Sequence, residues 1–166
     1  NSGAVLWQLL WRYLGSSGIG VWPDRWRWCH VTCSVGSGVT GMHQLRVVLV
    51  TGAGGDIGSA VCQRLLASGV AVAALDLQPV TVAGVQPFSC DVTDRDALQA
   101  VIREVEIGLG PIDGLVNVAG ILACGTALDA DPAVIERVWR VNFLGTFNAC
   151  QLVGRGLVAR GQGAIV

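Results

Sequence analysis

A chain of 166 residues, 52% apolar and only 14% charged, can close a buried core of its own, which excludes an intrinsically disordered polypeptide. Its 11 basic and 12 acidic residues nearly cancel, and a formal net charge of −1 gives no electrostatic reason to expect a nucleic acid partner. Every one of those basic residues is arginine; lysine is absent, which restricts the chemistry considered below.

Residues 1–41 carry Trp7, Trp11, Trp22, Trp26 and Trp28 and the single tyrosine, Tyr13, without a sustained helical or strand period. The apolar stretch 4–14 is broken by Gln8 and Arg12, too short and too polar to span a bilayer, and it lacks the charged start and cleavage site of a signal peptide. The expectation is therefore an N-terminal extension foreign to the domain, disordered or upstream of a natural start at Met42, with no membrane partner and a cytoplasmic location. Cys29, His30 and Cys33 resemble half a metal site, but no second pair stands at a ligand spacing, so no metal is expected. The six cysteines are scattered and read as buried reduced thiols rather than as a disulfide framework.

From residue 45 the pattern becomes regular. The apolar run 45–50 predicts a strand buried on both faces. Residues 56–68 predict a helix with Ile57, Val61 and Leu65 on its inner face and Gly69 as its stop. Strands follow at 70–75 and 85–90. A helix at 94–107, capped by Thr93, turns Leu98, Val101, Ile102 and Val105 inward. A fourth strand is read at 112–118. Asp131 and Pro132 suit the cap and first turn of a long helix reaching about Ala159. Residues 163–166 begin one more strand. Strands alternating with helices across short loops define an α/β fold, a Rossmann-type doubly wound parallel sheet, which is expected to be truncated after the start of its fifth strand. Residues 42–166 are read as the N-terminal part of that dinucleotide-binding domain.

Between the first strand and the first helix stands Thr51-Gly52-Ala53-Gly54-Gly55-Asp56-Ile57-Gly58. A pyrophosphate site needs a tight turn, a backbone that can approach closely, and free amides at a helix start, and glycine meets the first two needs. Gly52, Gly54, Gly55, Asp56, Ile57 and Gly58 are accordingly candidate cofactor-binding residues. Asp76, ending the second strand 18 positions after Gly58, can accept the hydroxyls of an adenosine ribose and would repel a 2′-phosphate. No arginine follows it in Leu77-Gln78-Pro79-Val80, so NAD rather than NADP is the expected cofactor.

These residues resemble the short-chain dehydrogenase/reductase family, and three further motifs extend the likeness over residues 42–166. Asp91-Val92 stands where that family places an aspartate near the adenine. Leu115-Val116-Asn117-Val118-Ala119-Gly120 is similar to its Asn-Asn-Ala-Gly motif, with Val118 in place of the second asparagine. Asn142, in Val141-Asn142-Phe143-Leu144-Gly145, matches the helix asparagine of its catalytic tetrad. The resemblance implies cofactor contacts at Asp91, Val92, Asn117, Ala119 and Gly120, with Asn117 bracing the neighbouring strand. It implies a catalytic role for Asn142, which in the family holds a water in a proton relay. From its place on the apolar stripe, Asn142 is expected to be buried and to need partners there. The implied activity is hydride transfer between NAD and a small alcohol, ketone or cyclic diol, in a homotetramer or homodimer.

Departures from the pattern qualify that expectation. Asp56 stands where the family usually has glycine, and beside a pyrophosphate it is expected to turn away and cap the helix. The glycines at 52, 55 and 58 follow the spacing of extended, sugar-nucleotide members, which leaves an epimerase or dehydratase as an alternative. The serine and Tyr-x-x-x-Lys of the family are not present: no serine follows Ser89, and there is no lysine. The polypeptide is thus expected to be inactive alone, and a non-catalytic NAD-binding regulator is a further alternative. Within the family, residues 115–125 and 163–166 are similar to the 2,3-dihydro-2,3-dihydroxybenzoate dehydrogenases, although Ala123-Cys124 stand where those enzymes commonly have Arg-Met.

Overall fold

The computed structural model describes residues 45–166. The expected N-terminal extension, with Cys29, His30, Cys33 and the start proposed at Met42, lies outside the described residues.

The elements run β1 (Val47–Thr51), α1 (Asp56–Ala67), β2 (Ala71–Asp76), β3 (Gln86–Ser89), α2 (Arg95–Gly108), β4 (Gly114–Asn117), α3 (Pro132–Trp139), a wider π-helical stretch (Arg140–Gly145), α4 (Thr146–Arg160) and β5 (Ala164–Ile165). All five strands are parallel, in the order β3-β2-β1-β4-β5. This is the doubly wound Rossmann-type sheet anticipated from the alternation of strands and helices. Chain order reverses between β1 and β4, and the open crevice at the carboxyl ends of those strands is where such sheets bind ligands.

Burial follows from the period of two along each strand. Val48, Val50, Val72 and Ala74 face α1, whereas Val47, Leu49, Ala73, Leu75 and Leu115 face α2 and α4. The inner side of α2 is as expected, with Leu98, Ile102 and Val105 buried and Val101 packed beside them. The cap of α2 differs. Asp94, not Thr93, accepts from the amides of Asp96 and Ala97 at 3.1 and 3.0 Å. Thr93 is drawn the other way, its amide donating to Asp91 Oδ1 at 2.8 Å. On α1 the expected inner face is rotated: Gly58 and Cys62 are buried, Val61 and Leu65 only partly, and Ile57 is 70% exposed. Small residues can lie closest to the strands, so they and not the larger aliphatics define the contact line. The expectation of buried thiols is met by Cys62 and Cys90 but not by Cys124, which is exposed.

The long helix predicted after Asp131 is present. Asp131 Oδ1 accepts from Ala133 N at 2.9 Å, Pro132 occupies the first turn, and Gly161 ends α4 in the left-handed region at φ 67°. The π-helical stretch within it was not anticipated, because residues 140–145 read equally well as a continuation of the α-helix. Among the described residues no helix is long and apolar enough to cross a membrane.

Candidate functional site

The crevice at the β1/β4 switch point has a volume of about 470 Å³ and brings together segments distant in sequence. Gly52, Gly55, Asp56, Ile57 and Gly58 form its floor, Asp76, Asp91 and Val92 one wall, and Ala119, Gly120 and Val141 the other.

The floor depends on two close approaches. Gly52 sits at φ 68°, and a Cβ there would lie 2.5 Å from Ala119 N, so only glycine allows the loops after β1 and β4 to meet. A Cβ on Gly58 would lie 2.0 Å from the Gly52 carbonyl oxygen, so α1 can start this near the loop only without a side chain. The helix is preceded by Gly55 at its N-cap, which offers no side-chain cap, and the amides of the first turn have no intrahelical acceptor. An anion placed there meets free donors and the positive end of the helix dipole. Asp56 is the first helical residue, exposed, and its side chain makes no capping bond; the expected cap by Asp56 is not formed. A carboxylate one position inside the helix cannot reach back to the amides that an N-cap residue serves.

Asp76 ends β2 as expected. Its Oδ2 accepts from Gly54 N at 2.9 Å and its Oδ1 from Gln78 N at 2.8 Å. These bonds fix the carboxylate toward the glycine loop and leave each oxygen a further lone pair for a diol. Gly54 thus serves the site by orienting Asp76, and its amide is not free for a phosphate.

On the opposite side, Asn117 donates through Nδ2 to the Val166 carbonyl at 3.2 Å and lies 3.5 Å from Cys150 Sγ, so it braces the chain beside β4. Among the described residues its Oδ1 is buried without a partner. Asn142 is exposed, contrary to the expectation of burial, but it finds partners. Its Oδ1 accepts from Ile121 N at 2.8 Å and its Nδ2 donates to Ile121 O at 2.9 Å. The π-helical stretch turns this amide outward, toward the loop that follows Gly120, and a Cβ on Gly120 would come within 3.4 Å of Asn142 Oδ1.

Two residues central to this geometry were not singled out from the sequence. Thr51 is 1% exposed, and its Oγ1 accepts from Val118 N at 3.2 Å and Ala119 N at 3.3 Å, tying the ends of β1 and β4 together under the crevice. Its place next to Gly52 was the only available signal. Asn148 is 4% exposed and bonds across to the loop after β3. An asparagine amid Ala149, Leu152 and Val153 on a helix marks a buried amide that needs partners.

The free amides at the start of α1, the diol-sized position at Asp76 and the close glycine contacts fit a dinucleotide. The comparisons with known proteins agree. Residues 46–166 match the family model for short chain dehydrogenases. The chain is 41% identical over 126 residues to galactitol 2-dehydrogenase (L-tagatose-forming) of Cereibacter sphaeroides, covering 70% of this chain and 49% of that enzyme. It is 33% identical over 132 residues to 2,3-dihydro-2,3-dihydroxybenzoate dehydrogenase of Bacillus subtilis, covering 73% and 51%. Among solved structures, a short chain dehydrogenase from Leptospira borgpetersenii with bound NAD+ superposes with a TM-score of 0.68 at 28% identity, covering 74% of this chain and 50% of that one. The chain thus spans about half the length of the curated relatives it matches. With residues 46–166 matching the family model and these relatives 33–41% identical to it, this chain belongs to the short chain dehydrogenase family.

Proposed function

We propose that the protein to which this chain belongs is an NAD-dependent oxidoreductase that moves hydride between the dinucleotide and a CH–OH or C=O group of a small alcohol, ketone or cyclic diol. The observation that carries the reading is Asp76, held at the crevice by Gly54 and Gln78 with no arginine beside it in Leu77-Gln78-Pro79-Val80. Its carboxylate accepts the two ribose hydroxyls and repels a 2′-phosphate. The start of α1 faces the pyrophosphate, and Ala119 and Gly120 leave room on the nicotinamide side. When bound, the nicotinamide ring supplies the hydride acceptor or donor. Asn142 fixes the loop after Gly120 through Ile121, which supports reading it as the family's tetrad asparagine. The dehydrogenase names of the relatives support this class, and a polyol or cyclic diol is the substrate we favour within it.

The 166 residues contain no lysine and no serine after Ser89, so we propose that this polypeptide alone binds the dinucleotide without turning it over. A homodimer or homotetramer of the whole protein is supported by Ile135, Trp139, Phe143 and Phe147, which lie at four-residue intervals and are all about half exposed. Such a stripe is matched by a second helix of like character.

Calorimetric titration of the polypeptide with NAD and NADP tests the reading. NAD is expected to bind more tightly, and Asp76→Ala to weaken NAD by about 10- to 100-fold while narrowing the gap to NADP. Tighter binding of NADP, or no binding of either, would overturn the proposal.

A further inference from the structure

We infer that Asn148, held by Arg95, is a positioning residue for the base end of the dinucleotide, acting through the backbone of Val92. The inference rests on the dinucleotide reading above and extends it to a part of the crevice that the glycine loop and Asp76 do not reach.

The sheet order sets which end of the ligand lies where. Asp76 ends β2 and takes the ribose, the start of α1 takes the pyrophosphate, and β4 lies on the far side of β1. The base must then lie one strand further out than Asp76, over the turn that follows β3. Cys90 N donates to Asp76 O at 3.4 Å, so this turn continues directly from the acid's own strand pair. Asp91 and Val92 line the crevice there.

That turn is not held by β3 alone, which has only four residues and lies at the sheet edge. It is held from the opposite side by the long helix. Asn148 Nδ2 donates to the Val92 carbonyl at 3.2 Å, a bond between groups 56 residues apart and buried. Asn148 Oδ1 accepts from Arg95 Nη1 at 3.4 Å, and the other nitrogen of that guanidinium donates to Gln151 Oε1. The Arg95 bond sets which way round the amide stands, since guanidinium can only donate. The nitrogen of Asn148 is thereby directed at Val92. Close contact is possible because the helix presents glycine at this point: a Cβ on Gly145 would lie 2.5 Å from Val92 Cγ2. Asp91, which lines the crevice, is fixed in the same turn by its bond from Thr93 N to Oδ1; among the described residues no group donates to its Oδ2. A donor on the base, such as the exocyclic amine of adenine, can be met there; a carbonyl at the same position cannot.

The test compares NAD with nicotinamide hypoxanthine dinucleotide, which has a carbonyl in place of that amine and a proton on the adjacent ring nitrogen, so that the donor and acceptor on that edge of the base are exchanged. Both are titrated calorimetrically into the wild-type chain and into Asn148→Ala and Asn148→Asp. The wild type is expected to prefer NAD by about fivefold, as for one hydrogen bond. Both variants are expected to bind NAD about tenfold more weakly and to lose that preference, since Asn148→Asp keeps the acceptor for Arg95 but has no donor for Val92. A purely structural role would lower the melting temperature without altering the ratio between the two ligands. If Asn148→Ala does not fold, Arg95→Gln, which removes the orienting cation from a half-exposed position, is expected to reduce the same ratio. A folded variant whose ratio equals that of the wild type overturns the inference and leaves the dinucleotide reading standing. A wild-type chain that binds neither ligand overturns both.

Discussion

The two faces of the sheet are held by opposite means. The face toward α1 takes its helix through small residues: Gly58 and Cys62 are the buried residues of α1, set with Ala53 and Ala74, and the valines Val48, Val50 and Val72 fill the space around them. The face toward α2 and α4 is filled by large side chains, among them Leu49, Leu75, Leu98, Leu115 and Leu152. The difference follows from the crevice and the dinucleotide proposed for it. The first turn of α1 must reach the end of β1 for its amides to border the crevice, which forbids bulk at the contact. No such requirement acts on α2, so that face can be packed for apolar burial. One face should therefore fail when atoms are added and the other when they are removed.

The largest effect is expected at Gly58. Alanine there would place its Cβ 2.0 Å from the Gly52 carbonyl, a backbone atom that cannot yield without displacing the loop. Gly58→Ala should cost upward of about 4 kcal/mol in urea unfolding and abolish NAD binding. On the other face the corresponding break is Leu98→Ala, which empties a fully buried site and should cost about 3 kcal/mol while leaving NAD affinity within about twofold. A Gly58→Ala chain as stable as the wild type would remove the close-approach argument; a Leu98→Ala chain that lost NAD affinity would show the faces are not independent.

The smallest expected effect is one of pH, and each face contributes one group. Burial raises the Cys62 thiol on the α1 face. Burial, with Asp94 and Asp91 adding to it, raises the Cys90 thiol on the other. A thiol whose folded pKa lies above its unfolded value contributes stability below the unfolded pKa, about 8.5, and loses it as pH rises through the folded value. The urea midpoint should therefore fall with increasing alkalinity, and the fall should shrink in Cys62→Ala. Alkylation followed by peptide mapping gives a companion measurement: among the cysteines of the described residues, exposed Cys124 should react first, and Cys62 and Cys90 only as the chain opens. A Cys90 that reacts as fast as Cys124 would contradict the buried position assigned to it.

Much of this architecture was legible in the sequence because its causes are local. The glycine loop, Asp76 and the cap at Asp131 each depend on a few adjacent residues. The failures were positions where a side chain had to choose among near-equivalent neighbours. Thr93 and Asp94 are both competent caps, and Asp91 decided between them by taking the Thr93 amide. Ile57 fits the apolar period of α1 but is turned to the crevice because Gly58 must take the inner position. Asn142 lies on the apolar stripe, yet the π-helical stretch rotates it outward to Ile121.

The sequence by itself determined the parallel sheet, the order of its elements and the residues that make the glycine turn between β1 and α1, since hydrophobic period and turn chemistry act over a few residues. Only the tertiary structure decided how the crevice is walled. The contacts that wall it, Thr51 with Val118 and Ala119, Asn142 with Ile121 and Asn148 with Val92, join residues 21 to 68 positions apart. A hydrogen bond of that span exists only after the helices have been packed on the sheet, and no pattern along the chain specifies which amide will meet which carbonyl.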